Sequence, residues 1–333
     1  MKLIGKSILF ISPSFFGYEL AIEKRLKEFG ANVHFFDDRP SNSFLGKGLL
    51  RAHKKLYANR IRKYYLPIEK KIDEIPQIDY IFLLSPEALP IQLLQKTIQK
   101  HPGVRVVLYM WDSIQNKIGT KKYLPYCDRI LTFDPRDKQF NENIEFLSLF
   151  YLNEYATVEP KTLYDYDLSF VGTAHSDRFI LANKVKKQIE DLGGVVFTFF
   201  YLQSKKLYLY RKITDENFRK TKVSDFQYKS LSSKETIDVI SRSKTVLDIQ
   251  HPNQTGLTMR TLEILGSKRK LITTNEEVAN YDFYNPHNIL IIDRNSPQIP
   301  SEFLSTPYVP IPDDIYRKYS IDGWLENIFR DSN

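Results

Sequence analysis

Residues 248–275 read DIQHPNQTGLTMRTLEILGSKRKLITTN, and the order of apolar and polar positions in them decides the fold. KTVLDI (244–249) is a short β-branched run that ends in the polar loop HPNQTG. GLTMRTLEILGS (256–267) then has helical spacing, and a short basic turn leads into KLITT (270–274), a second strand. Strand, helix and strand in this order form a parallel βαβ unit. In open sheets of such units, ligands bind beyond the carboxyl ends of the strands, where loops feed helix N-termini. The free N–H groups and the dipole at the start of this helix suit a phosphate or diphosphate. Gly256 lets the backbone approach it closely, and Thr258 can donate a hydroxyl. Arg260 and Glu263 lie three apart on one helix face. The guanidinium can neutralise phosphate charge in a bidentate way, and the carboxylate can accept both hydroxyls of a ribose. An ordinary capped helix with a surface Arg–Glu pair fits the same residues.

The alternation extends in both directions. Upstream, SILFIS (7–12), NVHFF (32–36), IDYIFLL (78–84), VRVVLYM (104–110) and DRILTF (128–133) read as strands. Tyr18 to Phe29 and LPIQLLQKTIQK (89–100) read as helices between them. The pattern restarts with DLSFVG (167–172), a helix over 175–193, VVFTFFY (195–201) and a helix over 232–243 capped by Ser232 and Glu235. NILIID (288–293) is the last strand, and 311–330 is mostly helical. The expected architecture is α/β, with two Rossmann-like domains facing each other across a cleft. Expected boundaries are 1–155, 156–312 and a helical tail, 313–333, that packs back on the first domain. Residues 150–166 have weak periodicity and read as the connection.

At 333 residues the chain has the length of two domains, and 42% hydrophobic with 14% aromatic residues is enough for two cores. A charged fraction of 26% excludes a disordered or fibrous chain. No apolar run reaches the ~20 residues of a membrane span. The start, MKLIGKSILFISPSFF, lacks a small-residue cleavage site and is not read as a signal peptide. Cys127 stands alone, so neither an internal disulfide nor a cysteine zinc site can form. A cytoplasmic protein is expected. Its net charge of +8 is matched by residues 47–71 alone, where nine basic residues face one acid, Glu69. Leu49, Leu50, Leu56, Tyr57, Ile61, Tyr64 and Tyr65 interleave with those cations. That pattern suits an amphipathic helix on anionic lipid, a solvated helix face or a nucleic-acid contact; no nucleic-acid motif accompanies it.

Other loops after strands carry candidates. VGTAHSDR (171–178) can bring Gly172 and Thr173 to phosphates with Arg178 as counter-charge, or form a plain turn with Ser176 as N-cap. Gly17 marks the first such loop, SPSFFGYE (12–19). In YMWDS (109–113) Trp111 can stack on a sugar and Asp112 can act as a base, or cap the next helix. Glu87 is the rival base and Asp134 a third. His175 and His251 fall in loops after strands, where they can touch the phosphates of a ligand. The six histidines show no metal-ligand spacing, and no Asp-x-Asp follows a strand.

GLTMRTLEILGSKRKLITTN, with YDFYNPHNILIID (281–293), YMWDS and DLSFVGTAHSDR (167–178), resembles the bacterial GT-B glycosyltransferases of capsule, exopolysaccharide and lipopolysaccharide clusters. The resemblance covers most of the chain and is strongest from 244 to 293. It implies an N-terminal acceptor domain and a C-terminal nucleotide-sugar domain. Glu263 matches the ribose-contacting glutamate, and Gly256, Leu257, Thr258 and Arg260 match the diphosphate-contacting end. Thr255 stands where retaining members with a Glu-x7-Glu motif carry another glutamate. The implied partners are a nucleotide-sugar donor and a glycan or lipid-linked glycan acceptor at the inner face of the membrane. Neither metal nor cofactor is implied. In an inverting enzyme the base is Asp112 or Glu87. A nucleotide-sugar epimerase or hydrolase, or a non-catalytic glycan- or membrane-binding module, would use the same scaffold.

Overall fold

The computed structural model describes residues 3–40, 54–252 and 256–330, with the backbone alone for 54–57. The chain divides into two units, one of Met1–Ser148 with Ile321–Asn333 and one of Leu149–Ser320.

The first unit alternates β1 (Ser7–Ser12), α1 (Tyr18–Glu28), β2 (Asn32–Asp37), α2 (Lys54–Asp73), β3 (Tyr80–Leu84), α3 (Ile91–Lys100), β4 (Arg105–Met110) and β5 (Arg129–Thr132). A short β6 (Ile144–Phe146), absent from the sequence reading, completes the sheet. All pairs are parallel, in the order β2-β1-β3-β4-β5-β6. β1 and β3 are buried along their whole length, because helices cover both faces of a parallel sheet. On one face Leu9, Ile81, Leu83 and Leu108 pack with Tyr65, Ile68 and Ile72 of α2. On the other, the Phe82 and Tyr109 rings meet Trp324 at 6.1 and 4.9 Å. Trp324 belongs to the helix over Ile321–Ile328. Arg129 holds that helix by donating to the Asn327 and Ile328 carbonyls, and Asp322 accepts two bonds from Arg25 at 2.6 and 2.5 Å.

The basic segment is split by these facts. Lys47, Leu49, Leu50 and Arg51 lie outside the described residues. In α2 the apolar positions Ile61, Tyr64 and Tyr65 pack into the core of the first unit, so they are not an insertion face for lipid. Arg60, Arg62, Lys63, Lys70 and Lys71 remain exposed.

The second unit contains β7 (Tyr166–Thr173), α4 (Arg178–Asp191), β8 (Val196–Tyr201), α5 (Lys205–Thr214), α6 (Ser233–Ser241), β9 (Ser243–Asp248), α7 (Met259–Gly266), β10 (Lys270–Thr273) and β11 (Ile289–Ile291). The order is β11-β10-β9-β7-β8, again all parallel. The Ser232–Glu235 capping box at the start of α6 is formed as read. α5 was not read from the sequence. Part of the expected connection is packed structure: Tyr151 lies so close to α7 that a Cβ on Gly266 would stand 2.6 Å from its ring.

Each sheet has one place where the strand order reverses. It lies between β1 and β3 in the first unit and between β7 and β9 in the second. There the neighbouring strands send their connections to opposite faces, which opens a crevice at their carboxyl ends.

Candidate functional site

In the second unit, the loops after β7 and β9 bring together Thr173, His175, Arg178, His251, Thr258, Arg260 and Glu263. The first loop makes a tight turn. Ser176 is left-handed at φ 47 and its hydroxyl meets His175 Nδ1 at 2.9 Å, so the N-cap of α4 is Asp177, not Ser176. Arg178 donates to the Ile249 carbonyl at 2.7 Å and to the Thr173 carbonyl at 3.5 Å, tying the two loops together. Its burial, with Arg294 and Arg260 nearby, lowers its proton affinity.

Two arginines that the sequence reading missed join this group. Arg294, just past β11, donates to Asp177 at 2.7 and 2.6 Å and to the Gln250 carbonyl at 3.2 Å. Arg211 of α5 donates to the Ala174 carbonyl at 2.9 Å. His175 sits among Arg178, His251, Arg211 and Arg294. Burial first, then the charge of Arg178 and its other neighbours, lowers its pKa to about 3, so the imidazole is neutral at pH 7. The His175 and His251 rings lie 5.5 Å apart. Arg294 is paired with Asp177 and Arg260 with Glu263, while Arg178 and Arg211 are bonded to carbonyls, whose dipoles do not cancel a full charge. The available signal for Arg294 was its position, next to a strand end. For Arg211 there was none, because α5 itself was unread.

Around α7, Thr258 is the N-cap and accepts from the Thr261 N–H at 3.2 Å. Its hydroxyl proton goes to the buried Asp248 at 2.6 Å, and the Thr261 hydroxyl goes there at 2.7 Å. The Thr258 hydroxyl is thus committed to shaping the loop, which corrects its expected role as a phosphate donor. Leu257 is buried at 1% exposure and can offer a ligand only its backbone. Gly256 is buried, and its carbonyl accepts from Asn275 at 3.4 Å. Gly172 has a packing reason of its own, since a Cβ there would stand 2.8 Å from the Phe170 ring. Arg260 Nη1 lies 2.6 Å from Glu263 Oε2, so the pair read from spacing forms, but with Glu263 buried rather than on the surface. The Tyr155 hydroxyl bonds to both, and burial followed by the Glu263 charge raises its pKa. Thr255 lies outside the described residues.

In the first unit, the loops after β1, β3 and β4 carry Gly17, Glu87, Trp111 and Asp112. Gly17 is the left-handed N-cap of α1 at φ 83, a conformation that favours glycine. Phe15 of the same loop packs on Trp111 with centroids 5.3 Å apart. The backbone N–H of Trp111 donates to the Ser85 hydroxyl at 2.9 Å. Asp112 is 37% exposed in its side chain, accepts from Asn116 at 3.1 Å and lies 3.9 Å from Lys117 Nζ. Glu87 is 7% exposed, ion-paired with Lys117 and 3.7 Å from Arg39. Its backbone is fixed by the fully buried Asp38, which accepts from the N–H groups of Glu87, Ala88 and Leu89 at 2.5, 2.8 and 2.9 Å. Glu87 is thus enclosed with two cations already beside it, whereas Asp112 keeps part of its carboxylate in solvent. Asp134 caps the turn after β5 by accepting from Arg136 N–H at 3.0 Å. Among the described residues no acidic, histidine or cysteine group has the clustering of a metal site.

No protein-family model matches the chain, and no curated protein matches its sequence. Solved structures do match. HepE of Anabaena, solved with UDP and glucose, shares 10% identity over 96% of this chain and 97% of its own, with a TM-score of 0.55. Sucrose-phosphate synthase of Thermosynechococcus elongatus shares 8% identity over 97% and 92%, with a TM-score of 0.54. MurG of Acinetobacter baumannii shares 8% over 97% and 98%, with a TM-score of 0.51. The chain therefore has the fold of the GT-B glycosyltransferases, two α/β domains each built on a parallel sheet.

Proposed function

We propose that the protein is a glycosyltransferase that moves a sugar from a nucleotide-sugar donor to a growing surface glycan of the capsule, O-antigen or exopolysaccharide kind. The observation that carries this reading is the cationic group at the strand-order reversal of the second unit. Arg178, Arg211 and Arg294 surround His175 there, whose ring lies 5.5 Å from that of His251, near the N-terminus of α7. In the proposed mechanism these groups, with the Gly256–Leu257 backbone, hold the diphosphate and stabilise the charge that grows on it as the glycosidic bond breaks. Glu263 takes the ribose, exchanging part of its bond with Arg260. HepE has been solved with UDP-glucose, which supports a donor of this chemical class.

The first unit is assigned the acceptor. Its half-exposed Asp112 is the base that removes the acceptor hydroxyl's proton, with Trp111 and the Gly17 loop offering the sugar a surface. Lipid-linked acceptors lie on a membrane, and the exposed cations of α2 give an anionic surface a charged contact. No described helix is long and apolar enough to cross one.

Isothermal titration with UDP, GDP, ADP, TDP and CMP tests the reading, followed by product analysis with the matching sugar conjugate. Selective binding that is lost in Arg178→Ala and sugar appearing on a glycan acceptor would support it. Donor consumed without acceptor would assign an epimerase or hydrolase. Absence of binding to any nucleotide would reject it.

A further inference from the structure

The outer side of α5 carries apolar residues that the fold leaves in solvent. Leu209, Tyr210 and Ile213 are 60, 64 and 80% exposed. At about 100° per residue they fall within an arc of about 100° on the helix. Lys205 and Lys206, both exposed, share that side. The inner side is fixed: Tyr208 is buried and donates to the Thr221 carbonyl at 2.9 Å, and Arg211 reaches Ala174. The Thr221 bond draws the next segment alongside, where Arg219, Lys220, Lys222 and the 45% exposed Val223 face solvent. Over residues 205–229 eight basic residues stand against three acids. The whole-chain charge conceals this, because acidic stretches elsewhere balance it.

We propose that this face of α5 docks on an anionic lipid surface, with Leu209, Tyr210 and Ile213 entering the headgroup boundary and the lysines meeting lipid phosphates. Charge complementarity selects lipid. Aliphatic side chains and an interfacial tyrosine, interleaved with cations on one helix arc, match the two layers of a membrane surface. An acidic protein groove would need its negative charges inside an apolar cavity, at a desolvation cost. α5 thus presents lipid on one side while the other aims Arg211 at the loop after β7. The inference does not depend on glycosyl transfer, because docking needs no nucleotide.

Co-sedimentation of the full chain with vesicles of pure phosphatidylcholine, and of phosphatidylcholine with about 30% phosphatidylglycerol, tests it. Binding is expected to the anionic vesicles, weaker in high salt. Lys205→Glu and Lys206→Glu are each expected to lower the partition coefficient about fivefold. Leu209→Asn with Ile213→Asn is expected to lower it roughly tenfold or more. These positions are exposed, so the thermal midpoint should stay at the wild-type value and show that the variants fold. Equal binding to both vesicle types overturns the proposal, as does full binding by the Leu209/Ile213 variant. Self-association in the absence of vesicles that the same variant abolishes also overturns it, in favour of a second copy on this face.

Discussion

Arg294 clasps Asp177 through two nitrogens, at 2.7 and 2.6 Å, and so joins the end of β11 to the N-cap of α4. The same guanidinium reaches the Gln250 carbonyl after β9. One side chain therefore fixes the three loops that surround the proposed diphosphate site. Removing it takes away both a charge and the brace. Arg294→Ala should weaken nucleoside diphosphate binding about tenfold or more, the scale of a lost charge-assisted bond. Asp177→Asn keeps the cation and should cost less. Titration calorimetry measures both, and equal losses would show that the brace alone matters.

His175 gives the site a dependence on pH. Its folded pKa, lowered to about 3 by burial and by Arg178, His251, Arg211 and Arg294, lies below the ordinary value of 6.5. Below pH 6.5 the unfolded chain binds a proton that the folded chain refuses. Stability is therefore full above the unfolded value and falls as the pH drops toward the folded one. Between pH 7 and 5 this group should remove about 1–2 kcal/mol. His175→Gln should flatten that part of the profile, as read by urea denaturation at the two pH values. A variant profile as steep as wild type would place the dependence elsewhere.

Asp112 and Glu87 separate by environment. Glu87 is buried with Lys117 and Arg39, while Asp112 reaches solvent. Glu87→Gln leaves buried cations short of their counter-charge and should cost about 2–4 kcal/mol in stability. Asp112→Asn should leave stability within about 0.5 kcal/mol but lower turnover roughly 100-fold or more, with donor affinity unchanged. Thermal melts and steady-state rates check the pair. A fully active Asp112→Asn would remove it as the base.

The sequence exposed the parts whose signals are local. Buried strands such as β1 and β3 read as continuous apolar runs because both faces are covered, and the spacing of Arg260 and Glu263 puts them within reach of each other once the helix forms. Long-range contacts were not legible. Nothing near Arg294 announces Asp177, and Glu87 as a residue type gives no hint of the Lys117 and Arg39 around it. α5 escaped because KKLYLYRKIT (205–214) has apolar residues on both sides of the helix, some packed inward and some left outside. The basic run at 47–71 drew the lipid reading because it dominates the net charge. Of the apolar residues interleaved with it, Ile61, Tyr64 and Tyr65 of α2 serve the core.

Gly266 closes α7 beneath the Tyr151 ring. A Cβ there would approach ring atoms Cγ and Cδ2 to 2.6 and 2.7 Å, well inside contact distance. The ring cannot easily retreat, since Tyr151 is 1% exposed and its hydroxyl donates to the Tyr316 carbonyl at 2.9 Å. Tyr316 in turn donates to the Gly266 carbonyl at 2.5 Å, closing the group. Gly266→Ala raises helix propensity by up to about 1 kcal/mol, yet overpacking of this kind costs about 1–3 kcal/mol. The net expectation is a lower thermal midpoint, by several degrees at the upper end of that cost. Because α7 carries Arg260 and Glu263, nucleotide affinity should fall with it. Tyr151→Ala in the same background removes the clash and should recover part of the affinity while leaving the stability low. If Gly266→Ala melts at or above the wild-type temperature, the close packing of Tyr151 against α7 does not hold in solution.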